Sequence, residues 1–163
     1  MRSEHVHNFG TFFITTQTCG RRSLFQADRL AQLFLHTLYS YAAQGKYLLH
    51  EFVVMHDHVH VILTPREISL ERALQLIKGG FSRAVAKAGQ PNLEIWQKGF
   101  SDHRIRDVDD YLHHREYIHQ NPVKAGLCQR AEEFAYSSAN SRYKLEPIPQ
   151  RLKPVAIAAK RRG

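Results

Sequence analysis

Phe52-Val53-Val54-Met55-His56-Asp57-His58-Val59-His60-Val61-Ile62-Leu63 is the stretch on which the fold turns. It is rich in β-branched residues and interrupted once by a short polar link, so it reads as two strands joined by a tight turn at 55–57. The strands extend to Tyr47–Val54 on one side and His58–Thr64 on the other, with Pro65 ending the pairing. Alternate side chains of a strand share a face, so His58 and His60 point the same way. Two imidazoles at this spacing could grip one divalent ion, or could serve as neutral hydrogen-bonding groups. The spacing alone leaves both readings open.

Outward from this pair, Phe9–Thr18 is aromatic and β-branched and predicts another strand. Leu24–Ala43 places Leu30, Leu33, Phe34, Thr37, Leu38 and Tyr41 at helical spacing, with Gln44-Gly45-Lys46 as its C-terminal stop. Ser69 caps a second helix whose buried stripe is Leu70, Ala73, Leu74, Ile77, Phe81 and Val85. Leu93–Ile105 predicts a fourth, irregular strand. Asp107–Gln120 predicts a third helix, capped by Asp107 and ended or kinked at Asn121 by Pro122. The order strand, helix, strand, strand, helix, strand is the split βαβ pattern of an α+β, ferredoxin-like sandwich. It implies one antiparallel sheet with helices packed on one face. Residues 1–140 form one domain, and 141–163 read as a flexible basic C-terminal extension carrying Arg151, Lys153, Lys160, Arg161 and Arg162.

The 163 residues carry 23 Lys and Arg against 15 Asp and Glu, a net charge of +8. That balance favours polyanionic partners, with nucleic acid ahead of membrane. Cys19 and Cys128 are too few for a disulfide framework, which points to a reducing, cytoplasmic setting. The N-terminal residues lack the apolar run of a signal peptide, and no run approaches the ~18 residues of a membrane span.

A second constellation lies at Asp109–Pro122. His113, Tyr117 and Asn121 are spaced by four and share one helix face. Basic residues recur near aromatic ones: Arg21, Arg22, Lys78, Arg83, Lys98, Arg104, Arg106 and Lys124 near Phe81, Trp96, Phe100 and Tyr111. Cations that meet phosphates, with rings that stack on bases, are what single-stranded DNA binding requires. If the histidines do hold a metal, an amide oxygen and substrate phosphate would suit Mg²⁺ or Mn²⁺. Zn²⁺ would more often recruit a further His, a Cys or a carboxylate. A zinc hydrolase of small molecules lacks a Glu placed as general base.

Met55-His56-Asp57-His58-Val59-His60-Val61-Ile62-Leu63, followed by Tyr117-Ile118-His119-Gln120-Asn121-Pro122-Val123-Lys124-Ala125-Gly126-Leu127, resembles the single-tyrosine transposases of the His-hydrophobic-His class. The resemblance is to their REP-associated branch. Ile95–Phe100, His103–Arg106 and Tyr136-Ser137-Ser138 fit it too, and it spans about residues 9–140. It implies a metal-dependent strand transferase that cuts and rejoins single-stranded DNA beside REP-like hairpins through a 5′-phosphotyrosine. His58, His60 and Asn121 would hold Mg²⁺ or Mn²⁺, and Tyr117 would be the nucleophile. It further implies a monomer in the bacterial cytoplasm, near the nucleoid. The branch usually carries Pro where this chain has His56, which makes His56, like His113, a candidate accessory group. The alternative is a domesticated protein that binds hairpins without cutting them.

Overall fold

The computed structural model describes residues 10–152. The strands are β1 (Phe12–Gln17), β2 (Tyr47–Val54), β3 (His58–Pro65) and β4 (Ser101–Arg104). The helices are α1 (Asp28–Ala43), α2 (Leu70–Lys87) and α3 (Val108–Lys124). The sheet is antiparallel with order β2-β3-β1-β4, as the split βαβ pattern requires.

Strand alternation divides the side chains into two layers. Phe12 and Ile14 of β1, Phe52 and Val54 of β2, and Val59, Val61 and Leu63 of β3 face α1 and α2 and build the main core. The predicted α2 stripe is buried throughout, and Ser69 Oγ accepts from Arg72 N as its cap. Gly80 leaves room for the Tyr41 ring of α1 against α2, since a Cβ there would lie 2.7 Å from the Tyr41 hydroxyl. The two helices of the split pattern thus share one face, as expected. The third lies on the other: Val53, Met55 and Ile62 pack with Ile105 and with Tyr111 and Ile118 of α3 in a second, smaller cluster.

A register shift between Leu49 and Glu51 makes this two-sided burial possible. The extra residue of a β-bulge resets the alternation. Leu49 and Phe52 therefore both join the main core, while His50 and Glu51 between them turn toward α3.

Several boundaries differ from expectation. The first helix begins at Asp28, because Ala27 is extended (ψ 117°) and separates it from a 3₁₀ turn at Leu24–Gln26. The fourth strand shrinks to Ser101–Arg104. Upstream of it Trp96 makes a single bridge to Thr18, and its ring packs against Phe25, Phe34 and Phe81 instead of extending the sheet. The third helix does not stop at Asn121 but continues to Lys124 with Pro122 inside it. Proline removes only one donor, and the last turn closes through Ala125 N to Asn121 O (3.1 Å) and Leu127 N to Pro122 O (2.9 Å). The first part of the expected extension folds back on the domain: Tyr143 packs edge-on against Phe52 at 5.0 Å and stacks with Tyr39. Phe9 and the basic residues Lys153, Lys160, Arg161 and Arg162 lie outside the described residues.

Candidate active site

The hairpin β2–β3 and the helix α3 converge on the sheet face opposite the main core. His58 and His60 project there together, with ring centroids 4.8 Å apart. Tyr117 stands over His60 at 5.3 Å in an edge-on contact. Phe13 of β1 supports both, stacked on His60 at 5.3 Å and edge-on to Tyr117 at 5.9 Å. Tyr117 remains 46% exposed, which is unusual for an aromatic residue so placed and leaves its ring open to solvent. Asn121 follows one helical turn beyond Tyr117, half-buried, on the same side of α3.

The two imidazoles are each anchored through Nδ1. His58 Nδ1 lies 2.8 Å from Asp57 Oδ1, and His60 Nδ1 lies 2.8 Å from Thr15 Oγ1. His60 Nε2 is buried with no hydrogen-bond partner. A buried polar nitrogen without a partner is costly and calls for an explanation. Burial, reinforced by the neighbouring His58, pushes the His60 pKa down to about 3, so the ring is neutral at physiological pH. A neutral imidazole with an uncommitted nitrogen facing a second imidazole fits a metal ligand.

Asp57 sits between charges. Burial works to raise its carboxyl, but hydrogen bonds from His58 and Arg21 outweigh that and hold it below the usual carboxylate range. A parallel arrangement on the other side of Phe13 has no counterpart in the sequence reading. His103 Nε2 (2.8 Å) and His114 Nδ1 (3.2 Å) both approach the buried Asp110 carboxylate, and the two rings stack at 4.5 Å. This His-Asp-His group has ligand atoms close enough for a metal ion. The group is already engaged, however: Arg106 N also donates to Asp110 Oδ2 (2.9 Å), and His114 Nδ1 donates to the Asp110 backbone carbonyl (2.9 Å). The i, i+4 spacing of Asp110 and His114 on one helix was the only available signal, because His103 arrives from β4.

The other sequence candidates divide. Lys98 and Lys124 are exposed. Lys78 is half-buried and donates to the carbonyls of Gln97 (3.1 Å) and Gly99 (2.7 Å), with burial lowering its pKa. Arg22 donates to the carbonyls of Glu94 and Cys19, and Arg83 to the Tyr41 hydroxyl. Arg21 is paired with Asp57, and Arg106 with Asp110. Arg104 lies over the Phe12 ring at 5.8 Å. His113 is exposed on α3, in ring contact with His114, and His56 lies in the turn, where its carbonyl accepts from Phe25 N.

An antiparallel split βαβ sheet that presents a His-Val-His strand to a tyrosine-bearing helix defines a class, and comparison with known proteins agrees. The sequence profile described as "Transposase IS200 like" matches residues 4–121, more than half of the chain. The chain belongs to this IS200-like transposase family. A REP-associated tyrosine transposase of Escherichia coli (strain K12) is 31% identical over 131 residues, covering 79% of this chain and 76% of the relative. A solved structure described as a REP-associated tyrosine transposase bound to a REP hairpin superposes with a TM-score of 0.70 at 27% identity. That match covers 88% of this chain and 87% of the other. Among the described residues no helix is long and apolar enough to cross a membrane.

Proposed function

We propose that this transposase is a metal-dependent single-stranded DNA endonuclease and strand transferase acting beside hairpin, REP-like DNA. Tyr117 is the nucleophile, and His58, His60 and Asn121 hold Mg²⁺ or Mn²⁺. The observation that carries this reading is the partnerless, buried Nε2 of His60 directly beneath the half-exposed Tyr117 ring. The adjacency of the two rings supports assigning a ligand nitrogen and a nucleophile to one site.

A phenol has a pKa near 10 and attacks a phosphodiester poorly at neutral pH. When bound, a divalent cation would draw charge from the phosphate and from the leaving oxygen. As ligands, His58 and His60 would keep their protons on Nδ1, with Asp57 and Thr15 accepting them, and turn Nε2 inward. Tyr117 Oη would form a bond to phosphorus as the P–O3′ bond breaks, giving a 5′-phosphotyrosine and a free 3′-OH. The phosphoester energy stays in the protein–DNA bond, so a later 3′-OH can reverse the step and join a new strand. The positive net charge and the exposed Lys98 and Lys124 suit the DNA backbone, and the relative bound to a REP hairpin supports hairpin DNA as the partner. The reading extends to a monomer acting in the bacterial cytoplasm, as the family resemblance implies.

The test is incubation with single-stranded hairpin oligonucleotides and Mn²⁺ or Mg²⁺, followed by denaturing electrophoresis. The wild-type chain should yield a covalent adduct, and Tyr117→Phe should bind the hairpin without forming one. An adduct in the Phe variant would remove Tyr117 from the role. Hairpin binding with no cleavage by the wild type under either metal would favour a domesticated binder.

A further inference from the structure

Arg21 holds a backbone conformation that L-residues adopt rarely, with φ 54°, directly after Gly20 at φ 64°. The left-handed region sets Cβ against the following carbonyl, which is why glycine normally fills such positions. An arginine kept there is kept by something else. Its Nε donates to Asp57 Oδ2 at 3.0 Å, while Asp57 Oδ1 meets His58 Nδ1 at 2.8 Å. The loop is fastened to the same residue through its backbone, since Thr18 N (3.0 Å) and Thr18 Oγ1 (3.1 Å) both donate to the Asp57 carbonyl.

As a stabilising device this arrangement makes little sense. The Arg21 side chain is 54% exposed and that of Asp57 27%, and ion pairs so open to water contribute little to folding. As a positioning device it does. A carboxylate only accepts hydrogen bonds, so a fixed Asp57 keeps the proton on His58 Nδ1 and leaves Nε2 with its lone pair free. We propose that Arg21 and Asp57 are positioning residues that set the tautomer and ring orientation of His58 for cation binding. The inference rests on the metal site proposed above for its purpose, but the tautomer can be read without any metal.

The test uses the full chain labelled with ¹⁵N, metal-free, at pH 8. Long-range ¹H–¹⁵N spectra should show His58 protonated at Nδ1 in the wild type. In Asp57→Ala the proton should move predominantly to Nε2, while the signals of His50 and His119, held by Thr64 and Glu51, stay in place and report that the fold is intact. Mn²⁺ affinity, titrated by electron paramagnetic resonance, should fall about 10–100-fold in Asp57→Ala, the usual effect of removing a partner behind a ligating His. Arg21→Gly separates positioning from stability: it should unfold at the same temperature or higher, because the strain is relieved, yet bind Mn²⁺ more weakly. Retention of the Nδ1–H tautomer in Asp57→Ala, or wild-type Mn²⁺ affinity in Arg21→Gly, would overturn the proposal. A wild type that binds no Mn²⁺, while Asp57→Ala still moves the proton, would sink the metal reading and leave the positioning of His58 standing.

Discussion

Thr15 Oγ1 lies 2.8 Å from His60 Nδ1, across the β1–β3 pairing that sets the two residues opposite each other. The contact fixes the ring whose other nitrogen is buried without a partner. Thr15→Val keeps the shape and removes the hydroxyl, so Nδ1 loses its partner as well. An unmade buried hydrogen bond costs about 1–3 kcal/mol, which urea unfolding would register. Mn²⁺ affinity should drop about 10–100-fold, and Thr15→Ser should restore it. Unchanged Mn²⁺ binding in Thr15→Val would separate His60 from the metal.

His60 also makes the fold sensitive to mild acid. Its folded pKa, near 3, lies below the unfolded value near 6.5, so the unfolded chain takes up a proton first as pH falls. The stability linked to this group is fully present above about pH 6.5 and drains as pH falls toward 3, by a few kcal/mol at most. His50, whose pKa burial also lowers, acts in the same direction. Metal-free protein should therefore lose thermal stability measurably between pH 6.5 and 5, before most carboxylates titrate. Replacing His60 with Gln should flatten that part of the curve, and a curve of unchanged slope would refute the assignment.

The hairpin was legible in the sequence because β-branched runs and a short polar link carry local information, and both strands fall where the pattern put them. The shared face of His58 and His60 followed from alternation alone. What the pattern could not convey was the bulge at His50, since one inserted residue changes the facing of its neighbours without changing composition. For the same reason the buried roles of Glu51 and His50 were invisible. The 3₁₀ turn before α1 buries Phe25, whose N donates to the distant His56 carbonyl, and α3 passes through Pro122 because its last turn still closes around the missing donor; neither shows in local residue preference. Basic residues misled most: sequence offers no way to tell a lysine that meets solvent from one that caps backbone carbonyls.

Lys78 and Lys98 make that last distinction testable. Lys78 pins the 97–99 loop, whereas Lys98 is exposed beside it. Lys78→Met should lower stability by about 1–3 kcal/mol, since two carbonyls lose a charged donor, with little change in the salt dependence of DNA binding. Lys98→Ala should leave the melting temperature alone and reduce the slope of log K against log salt by about 0.7, the value for one phosphate contact on a single strand. Fluorescence anisotropy across a salt series distinguishes the two, and a reduced slope in Lys78→Met would restore it as a DNA contact.

Glu51 ties the tyrosine helix to the sheet. Its Oε1 accepts from His119 Nε2 at 2.8 Å and from Ser138 Oγ at 2.6 Å, and Ser138 Oγ in turn accepts from Phe52 N at 2.9 Å. His119 lies two residues beyond Tyr117 on α3, so the carboxylate clamps the helix within a turn of the proposed nucleophile. Glu51→Ala takes the acceptor from His119 Nε2, while Ser138 Oγ keeps its bonds to the Phe52 backbone, and should cost about 1–3 kcal/mol, the range for a buried donor left without a partner. For a chain of this length that corresponds to a melting temperature lower by roughly 2–12 °C. Glu51→Gln keeps an acceptor oxygen and should lose less. If the clamp positions Tyr117, Glu51→Gln should also form the covalent DNA adduct more slowly while binding the hairpin with wild-type affinity. Equal adduct rates for Glu51→Gln and wild type, at a temperature where both are fully folded, would confine Glu51 to a structural role.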